Sequence, residues 1–417
     1  MRGRLHLVRS PVPLRKQGPR APSDVARDSW APAFAGALKG IGVGLLALLA
    51  AVPAQAQVAP GYTPQNADER GLWMEMDEAE RLLKTSDFVM RDPALNAWVR
   101  SVFCRIAGPS CADVRIYIVR TPYFNASMAP NGMLVVWSGL FLRTRDEAEL
   151  AAVLGHEFTH YRERHSLRLF RDVKHKSDAF SLLGLPVAIL TGGLGYSAAQ
   201  IALIASIYGY SREMERDADA GSIGLLADAG YDPMAASHIW QHVLEEQLAT
   251  ATARGRKPRG DGGMFATHPA SRERLATLAA LAAARPAGGE SGRERYRAAL
   301  APFWAALVDD QVKLNDFGGT EMLLANLASD GWTPELLYAR GELYRARGRP
   351  EDLTAAAGFY RQALAGQGAP VEARRGLGLA LLRAGDRAGA RTALGAYLNG
   401  RPDASDAPML RQLAEGK

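Results

Sequence analysis

The 417-residue chain has only two cysteines, Cys104 and Cys111. That excludes a disulfide framework or an all-thiolate metal site as the basis of the fold. It lacks an uninterrupted apolar run of the roughly 20 residues a membrane-spanning helix requires. It also lacks a net charge beyond its N-terminus. Residues 1–56 hold eight Lys/Arg and two Asp, and removing them from the chain's 50 basic and 44 acidic residues leaves 42 of each. A neutral remainder argues against a nucleic-acid partner. What the chain has in quantity is apolar residues, 47% of the total, enough for a large core and too many for a disordered protein.

The basic N-terminus precedes an apolar run of about 12 residues, Ile41 to Val52, and then Ala54-Gln55-Ala56. This is the layout of a secretory signal: basic region, short apolar region, small residues for the peptidase. Cleavage is expected after Ala56, releasing the protein into an oxidising compartment, the periplasm. Neither cysteine lies near that junction, so a lipoprotein is not expected. Two cysteines seven residues apart can close a small loop or remain as buried thiols.

Helical spacing covers Asp68 to Met90 and Pro93 to Ala107. Residues 114–119 and Met133 to Trp137 read as strands, with Pro130-Asn131-Gly132 as a turn before the second. Helices follow from Asp146 to Leu167, Ser211 to Ala229, and Asp232 to about residue 252. Residues 179–210 are very apolar but broken by Pro186, Gly192, Gly193 and Gly195. They read as a buried helical pair, with a membrane hairpin or peripheral membrane contact as the alternatives. Beyond a Pro/Gly/Ser-containing stretch the chain is helical. Leu377, Gly378, Leu381, Gly385, Ala390, Leu394 and Pro402 fit the offsets of a tetratricopeptide unit. Gly341, Tyr344, Gly348, Ala356, Tyr360 and Ala363 fit a second copy.

The chemical signal is Leu154-Gly155-His156-Glu157-Phe158-Thr159-His160. Histidines four apart lie on one helix face and can reach one ion. Glu157, beside the first, can take a proton from a water polarised by that ion. A third histidine six residues past the second would mark one metalloprotease class, but that position is Ser166. His165 is one residue off and reads as an exposed or capping residue. The other solution is a downstream acidic helix, and Ser211 to Asp219 offers one. Glu215 can complete a two-histidine, one-carboxylate site. Asp219, one turn on, can accept a hydrogen bond from a ligand imidazole and fix its orientation.

Several ordered segments carry a more specific resemblance. They are Phe124-Asn125-Ala126, Asn131-Gly132, Ser138-Gly139-Leu140, Glu149 through Glu157, His160, Tyr210-Ser211-Arg212-x-x-Glu215-x-x-Ala218-Asp219 and Thr267-His268-Pro269. The chain resembles the HtpX/CAAX-prenyl-protease superfamily of zinc metallopeptidases. Within it, the chain is most similar to exported BepA-type enzymes, which join such a peptidase to tetratricopeptide repeats. The resemblance implies one Zn2+ per chain held by His156, His160 and Glu215, catalysis by Glu157, and support from Asp219. It also implies that the strand at Met133 to Trp137 pairs with an extended substrate. His268 matches a histidine that can take zinc's fourth position and hold the enzyme idle; the alternative is a role in stabilising the oxyanion.

The expected fold class is α+β, mainly helical. It comprises a signal peptide (1–56), a gluzincin-like metallopeptidase domain with a small β-sheet (57–285), a linker (286–294) and an all-α tetratricopeptide-like domain (295–417). The expected activity is endopeptidase action on protein or peptide substrates, such as misfolded or stalled outer-membrane proteins. The repeats would serve only as a docking surface, with the outer-membrane assembly machinery as the candidate partner. The alternative is a non-proteolytic chaperone or adaptor acting through the repeats.

Overall fold

In a computed structural model, residues 57–176, 210–257, 268 and 272–415 are described. The expected signal peptide, almost all of the 179–210 segment, and Thr267 and Pro269 lie outside them. Among the described residues no helix is long and apolar enough to cross a membrane.

The fold is mainly helical with one small sheet. Helices α1 (Ala67–Lys84) and α2 (Pro93–Ala107) open the described chain. Asp92 caps α2 by accepting from the Leu95 amide at 2.9 Å, and Pro93 follows at the first helical position, where proline is tolerated because its missing N–H has no helical partner. Cys104 and Cys111 form a disulfide with Cα atoms 4.9 Å apart. It closes the turn that leads from α2 into the sheet.

The sheet holds β1 (Arg115–Val119), β2 (Ala126–Met128) and β3 (Met133–Trp137) in the order β1-β3-β2. β1 runs parallel to β3, with Arg115 opposite Met133 and Val119 opposite Trp137. β2 runs antiparallel to β3, with Ser127 opposite Val135. The Pro130-Asn131-Gly132 turn therefore closes a β2–β3 hairpin. Sequence pattern missed β2 because three residues are too few to show a period. All five residues of β3 are buried, as expected of a central strand.

After a short α3 (Leu140–Arg143) comes α4 (Glu147–Arg162), which carries the histidine motif. Asp146 caps it, accepting from the Glu149 amide at 3.0 Å. A helix does not continue to Leu167 as expected. Arg164 takes a left-handed φ of 58°, which breaks the helix sharply, and α5 (His165–Lys176) starts anew. α6 (Arg212–Asp228), capped by Ser211, packs along α4. α7 (Ala235–Ala253) and α8 (Arg272–Ala283) complete this part.

The contact of α4 with α6 is unusually close. Ser222 Oγ on α6 donates to the Ala152 carbonyl of α4 at 2.6 Å. A Cβ added to Gly155 would meet Ser222 Oγ at 3.3 Å, and one added to Gly221 would meet Thr159 Cγ2 at 2.5 Å. Glycine at both positions lets the two backbones approach.

The remaining helices are α9 (Arg293–Leu300), α10 (Trp304–Val312), α11 (Phe317–Leu327), α12 (Pro334–Arg347), α13 (Pro350–Ala365), α14 (Glu372–Arg383), α15 (Arg387–Gly400) and α16 (Ala407–Glu415). α12 packs on α13 and α14 on α15. At these contacts a Cβ on Gly341 would lie 2.5 Å from Tyr360 Cε1, and one on Gly378 would lie 2.6 Å from Leu394 Cγ. Small residues thus let the paired helices touch.

Residues 286–294 do not behave as a free tether. The Glu290 amide donates to the Gly230 carbonyl at 3.0 Å, and the Ser291 carbonyl accepts from the Ala148 amide at the start of α4. Beyond them, Tyr296 is buried and its hydroxyl donates to the Phe141 carbonyl at 2.7 Å. The buried Arg143–Glu246 pair, 2.6 Å, also bonds Gln311 of α10. One continuous apolar cluster runs from Val58 to Ala380. The C-terminal helices are therefore continuous with the core of the preceding helices, more than an added surface.

Gly221→Ala tests the α4–α6 contact. The substitution gains about 1 kcal/mol of helix propensity. The added carbon would also sit 3.1 Å from Thr159 Cβ, which no side-chain rotation can move. Overpacking of about 1–3 kcal/mol should win, lowering the thermal midpoint. An unchanged or raised midpoint would show that the two helices separate without cost.

Candidate metal centre

His156 and His160 sit one turn apart on α4 and share a face. Their Nε2 atoms converge to 3.1 Å. Glu215 comes from the first turn of α6. Its Oε1 lies 3.6 Å from His160 Nε2, and its Oε2 lies 3.6 Å from His156 Nε2. His268 reaches the same point from outside both helices. Its Nδ1 is 3.2 Å from His156 Nε2 and 2.7 Å from Glu215 Oε1. One donor atom from each of these four buried residues lies within 4.8 Å of all the others, a group that could hold a metal ion.

The spacing fits that use. Two ligands each about 2.05 Å from a tetrahedral ion stand about 3.3 Å apart. The separations of 3.1, 3.2 and 3.6 Å bracket this value. The His268–Glu215 contact alone is shorter, at hydrogen-bond length. Three imidazoles and a carboxylate also form a common donor set for divalent transition metals.

Glu157 follows the first histidine but points off the ligand face. Its Oε1 is 3.6 Å from His268 Nε2 and has no hydrogen-bond partner among the described residues. Burial raises its carboxyl above the usual carboxylate range, with His268 and His156 opposing the shift. A base with a raised pKa is better matched to a proton transfer near neutral pH. Glu215 moves the opposite way. Burial acts to raise it, but His268 and His156 hold it well below the ordinary value. His160 is driven far down, first by burial and then by His156 and His268. It is thus kept neutral, the form that can ligate.

A second layer aims these groups. Asp219, one turn beyond Glu215, places Oδ1 3.1 Å from His156 Nδ1. The hydrogen bond there puts the proton on Nδ1 and turns the Nε2 lone pair toward the cluster. Burial would lower the His156 pKa, but Asp219 and Glu215 overcome it and carry it up to about 9. The Tyr210 ring stacks on His160 with centroids 3.9 Å apart, and its hydroxyl is 2.9 Å from Ser166 Oγ.

The structure overturns two expectations. His165 is neither exposed nor a surface cap. It is fully buried, and its Nδ1 lies 2.8 Å from His160 Nδ1. The left-handed turn at Arg164 tucks it there. Burial, helped by Arg168 and His156, lowers its pKa to about 3, so it stays neutral. With His160 Nε2 facing the cluster, Nδ1–H of His160 donates to Nδ1 of His165. The second correction concerns substrate pairing. Met133–Trp137 is the middle strand, bonded to β1 on one side and β2 on the other. The outer strand packed on the motif helix is β2.

Arg274 of α8 was not anticipated. Its Nε and Nη2 donate to both oxygens of Asp219 at 2.8 and 2.7 Å. In sequence it sits in Arg272-Glu273-Arg274, which reads as a solvated helix face.

Comparison with known proteins agrees with this arrangement. Residues 90–282 match the model of peptidase family M48. The chain is 30% identical over 241 residues to a putative beta-barrel assembly-enhancing protease of Vibrio cholerae, covering 54% of this chain and 48% of that protein. It is 27% identical over 255 residues to the beta-barrel assembly-enhancing protease of Escherichia coli, covering 56% and 50%. It is 29% identical over 172 residues to the mitochondrial metalloendopeptidase OMA1 of Schizosaccharomyces pombe, covering 41% and 47%. The chain spans about half the length of these relatives.

His165→Ala removes the acceptor that orients His160. Metal affinity should fall by about 10–100-fold, read by competition with a chromophoric chelator. Unchanged affinity would mean that Tyr210 and the helix alone set the His160 ring.

Proposed function

Residues 90–282 are a peptidase family M48 domain, and from this premise we propose that the chain is a zinc-dependent endopeptidase. His156, His160 and Glu215 hold the ion, Glu157 is the general base, and Asp219 orients His156. The observation that supports this most is the buried four-donor cluster beside Glu157, whose Oε1 has no hydrogen-bond partner among the described residues. The bound ion would supply Lewis acidity, lowering the pKa of water toward about 7 and polarising the scissile carbonyl. Glu157 takes the proton of the attacking water and returns it to the leaving amine. An extended substrate adds to the outer edge of β2, where backbone hydrogen bonds give affinity with loose sequence preference.

His268 fits an idle form of the enzyme. With its Nδ1 among the other three donors, the protein itself completes a four-ligand set. Water reaches Glu157 only when His268 withdraws. Such a latch suits a protease exported to the periplasm after cleavage at Ala56, because it must spare folded neighbours. The natural substrates on this reading are misfolded or stalled proteins of the cell envelope. The names of the relatives, with their reference to beta-barrel assembly, favour outer-membrane proteins. The paired helices α12–α13 and α14–α15, read as tetratricopeptide repeats, offer the surface for a partner or a large substrate.

Glu157→Gln should keep its metal and lose about 10²–10⁴-fold in peptide turnover. Full activity in that variant would remove Glu157 from the mechanism, and absence of activity under zinc in both the wild type and His268→Ala would favour a non-proteolytic adaptor. His268→Ala should cleave faster than wild type at matched metal content, self-cleavage included. Turnover slowed by about 10²–10³-fold would instead assign His268 to oxyanion stabilisation.

A further inference from the structure

Arg274 is nine-tenths buried, and every face of its guanidinium is used by the metal cluster's surroundings. Nε and Nη2 form a two-pronged bond to Asp219. Nη1 is 3.3 Å from Glu215 Oε2, an ion-pair contact without hydrogen-bond geometry. Nη2 also packs 3.5 Å from both ring nitrogens of His156. The flat face of the group lies over the Trp240 ring of α7, 4.0 Å from its centroid. Four elements, α4, α6, α7 and α8, thus meet at one side chain.

We propose that Arg274 is a positioning residue that sets the coordination of two metal ligands at once. The inference rests on the metal site argued above. Through Asp219 it fixes the His156 ring. Asp219 has two oxygens, and a carboxylate free to rotate would offer either of them, or neither, to His156 Nδ1. The parallel bonds from Arg274 hold the carboxylate plane, so Oδ1 stays at the imidazole. Through Nη1 it engages Oε2 of Glu215. The other oxygen, Oε1, is the one grouped with His160 and His268. A carboxylate held this way presents one oxygen to the ion and is kept from closing on it with both. One-oxygen ligation keeps the count at three protein ligands plus one exchangeable position, the pattern of a catalytic site.

Lysine cannot replace this function. Its ammonium can meet one carboxylate as a point charge, but it has no planar fork to hold Asp219 while reaching Glu215. Nor can it stack flat on Trp240. Charge and geometry can therefore be separated by substitution.

The test uses the full mature chain, wild type, Arg274→Lys and Arg274→Gln, loaded with zinc or cobalt(II). Zinc affinity is measured by chelator competition, and ligand number by the visible absorption of the cobalt form, which weakens as coordination rises from four to five. His268→Ala is included in every protein, so that the fourth position is not filled by the chain. Arg274→Gln and Arg274→Lys should both lose about 10–100-fold in zinc affinity, with a weaker cobalt band. Adding Asp219→Asn to Arg274→Gln should cost much less than the two single losses combined, since one acts through the other. If Arg274→Lys equals wild type in both readouts, charge alone suffices and the proposal fails. Lower thermal stability with wild-type affinity and an unchanged cobalt band would assign Arg274 a purely structural role. Should Arg274→Gln not fold, Arg274→Lys decides by the same two readouts. If the parent binds no metal at the cluster, the metal site itself is wrong, an outcome separate from failure of the Arg274 inference.

Discussion

The close approach of α4 and α6 is the constraint on which the site depends. Two histidines on one helix can grip an ion only loosely; the third donor must arrive from another backbone. Glu215 has a short side chain, and its oxygens stand 3.6 Å from the two imidazoles. Ordinary helix pairs pack with axes about 8–10 Å apart. Here Gly155 and Gly221 remove the side chains that would hold the helices at the far end of that range, and the Ser222 hydroxyl bonds directly to the backbone of α4. The same contact places Asp219, one turn on, against the other nitrogen of His156. One interface therefore sets both a ligand and the group that aims another ligand.

Charge is the second constraint. Glu157, Glu215 and Asp219 are all buried around the cluster. Buried anions are costly unless compensated. Arg274 supplies one positive charge against the three carboxylates. The imbalance is of the sign that a cation relieves, and the His156 pKa, raised to about 9, reflects the same field. Asp219 makes the His156 lone pair more basic, which strengthens it as a ligand as well as a proton acceptor. The neutral His165 behind His160 does not raise basicity in this way. The two imidazoles are thus oriented by different means, one by an anion and one by a neutral ring.

The chemistry was legible in the sequence where it rests on spacing along one helix. His156, Glu157 and His160 follow from the helical repeat, and Glu215 with Asp219 from the next acidic helix. The helix boundaries at Pro93, Glu147 and Arg212 follow from their caps. Features set by tertiary contact were not legible. His165 looked exposed because the turn at Arg164 has no glycine to announce it. Arg274 looked like surface charge because its hydrogen-bond partner Asp219 lies 55 residues away. The resemblance implied a substrate-pairing role for β3, but β2, too short to show a period in the sequence, occupies that side of it. Residues 286–294 have a linker's composition, but their backbone bonds to Gly230 and Ala148 bind them to the helices that carry the donor cluster.

That last point changes how the C-terminal helices relate to the site. α7 serves both. Trp240 on it supports Arg274 and lies edge-on to His156, with ring centroids 6.1 Å apart. Six residues on, about 9 Å along the helix, Glu246 pairs with Arg143 in a buried bond that includes Gln311 of α10. Further along, Thr250 donates to Asp316 at the cap of α11 at 2.6 Å. A helix is stiff over this length, so α7 cannot shift at its C-terminal end without moving Trp240. The helices beyond residue 295 and the layer that orients His156 are therefore parts of one packed body, and the donor cluster cannot be treated as the property of residues 90–282 alone.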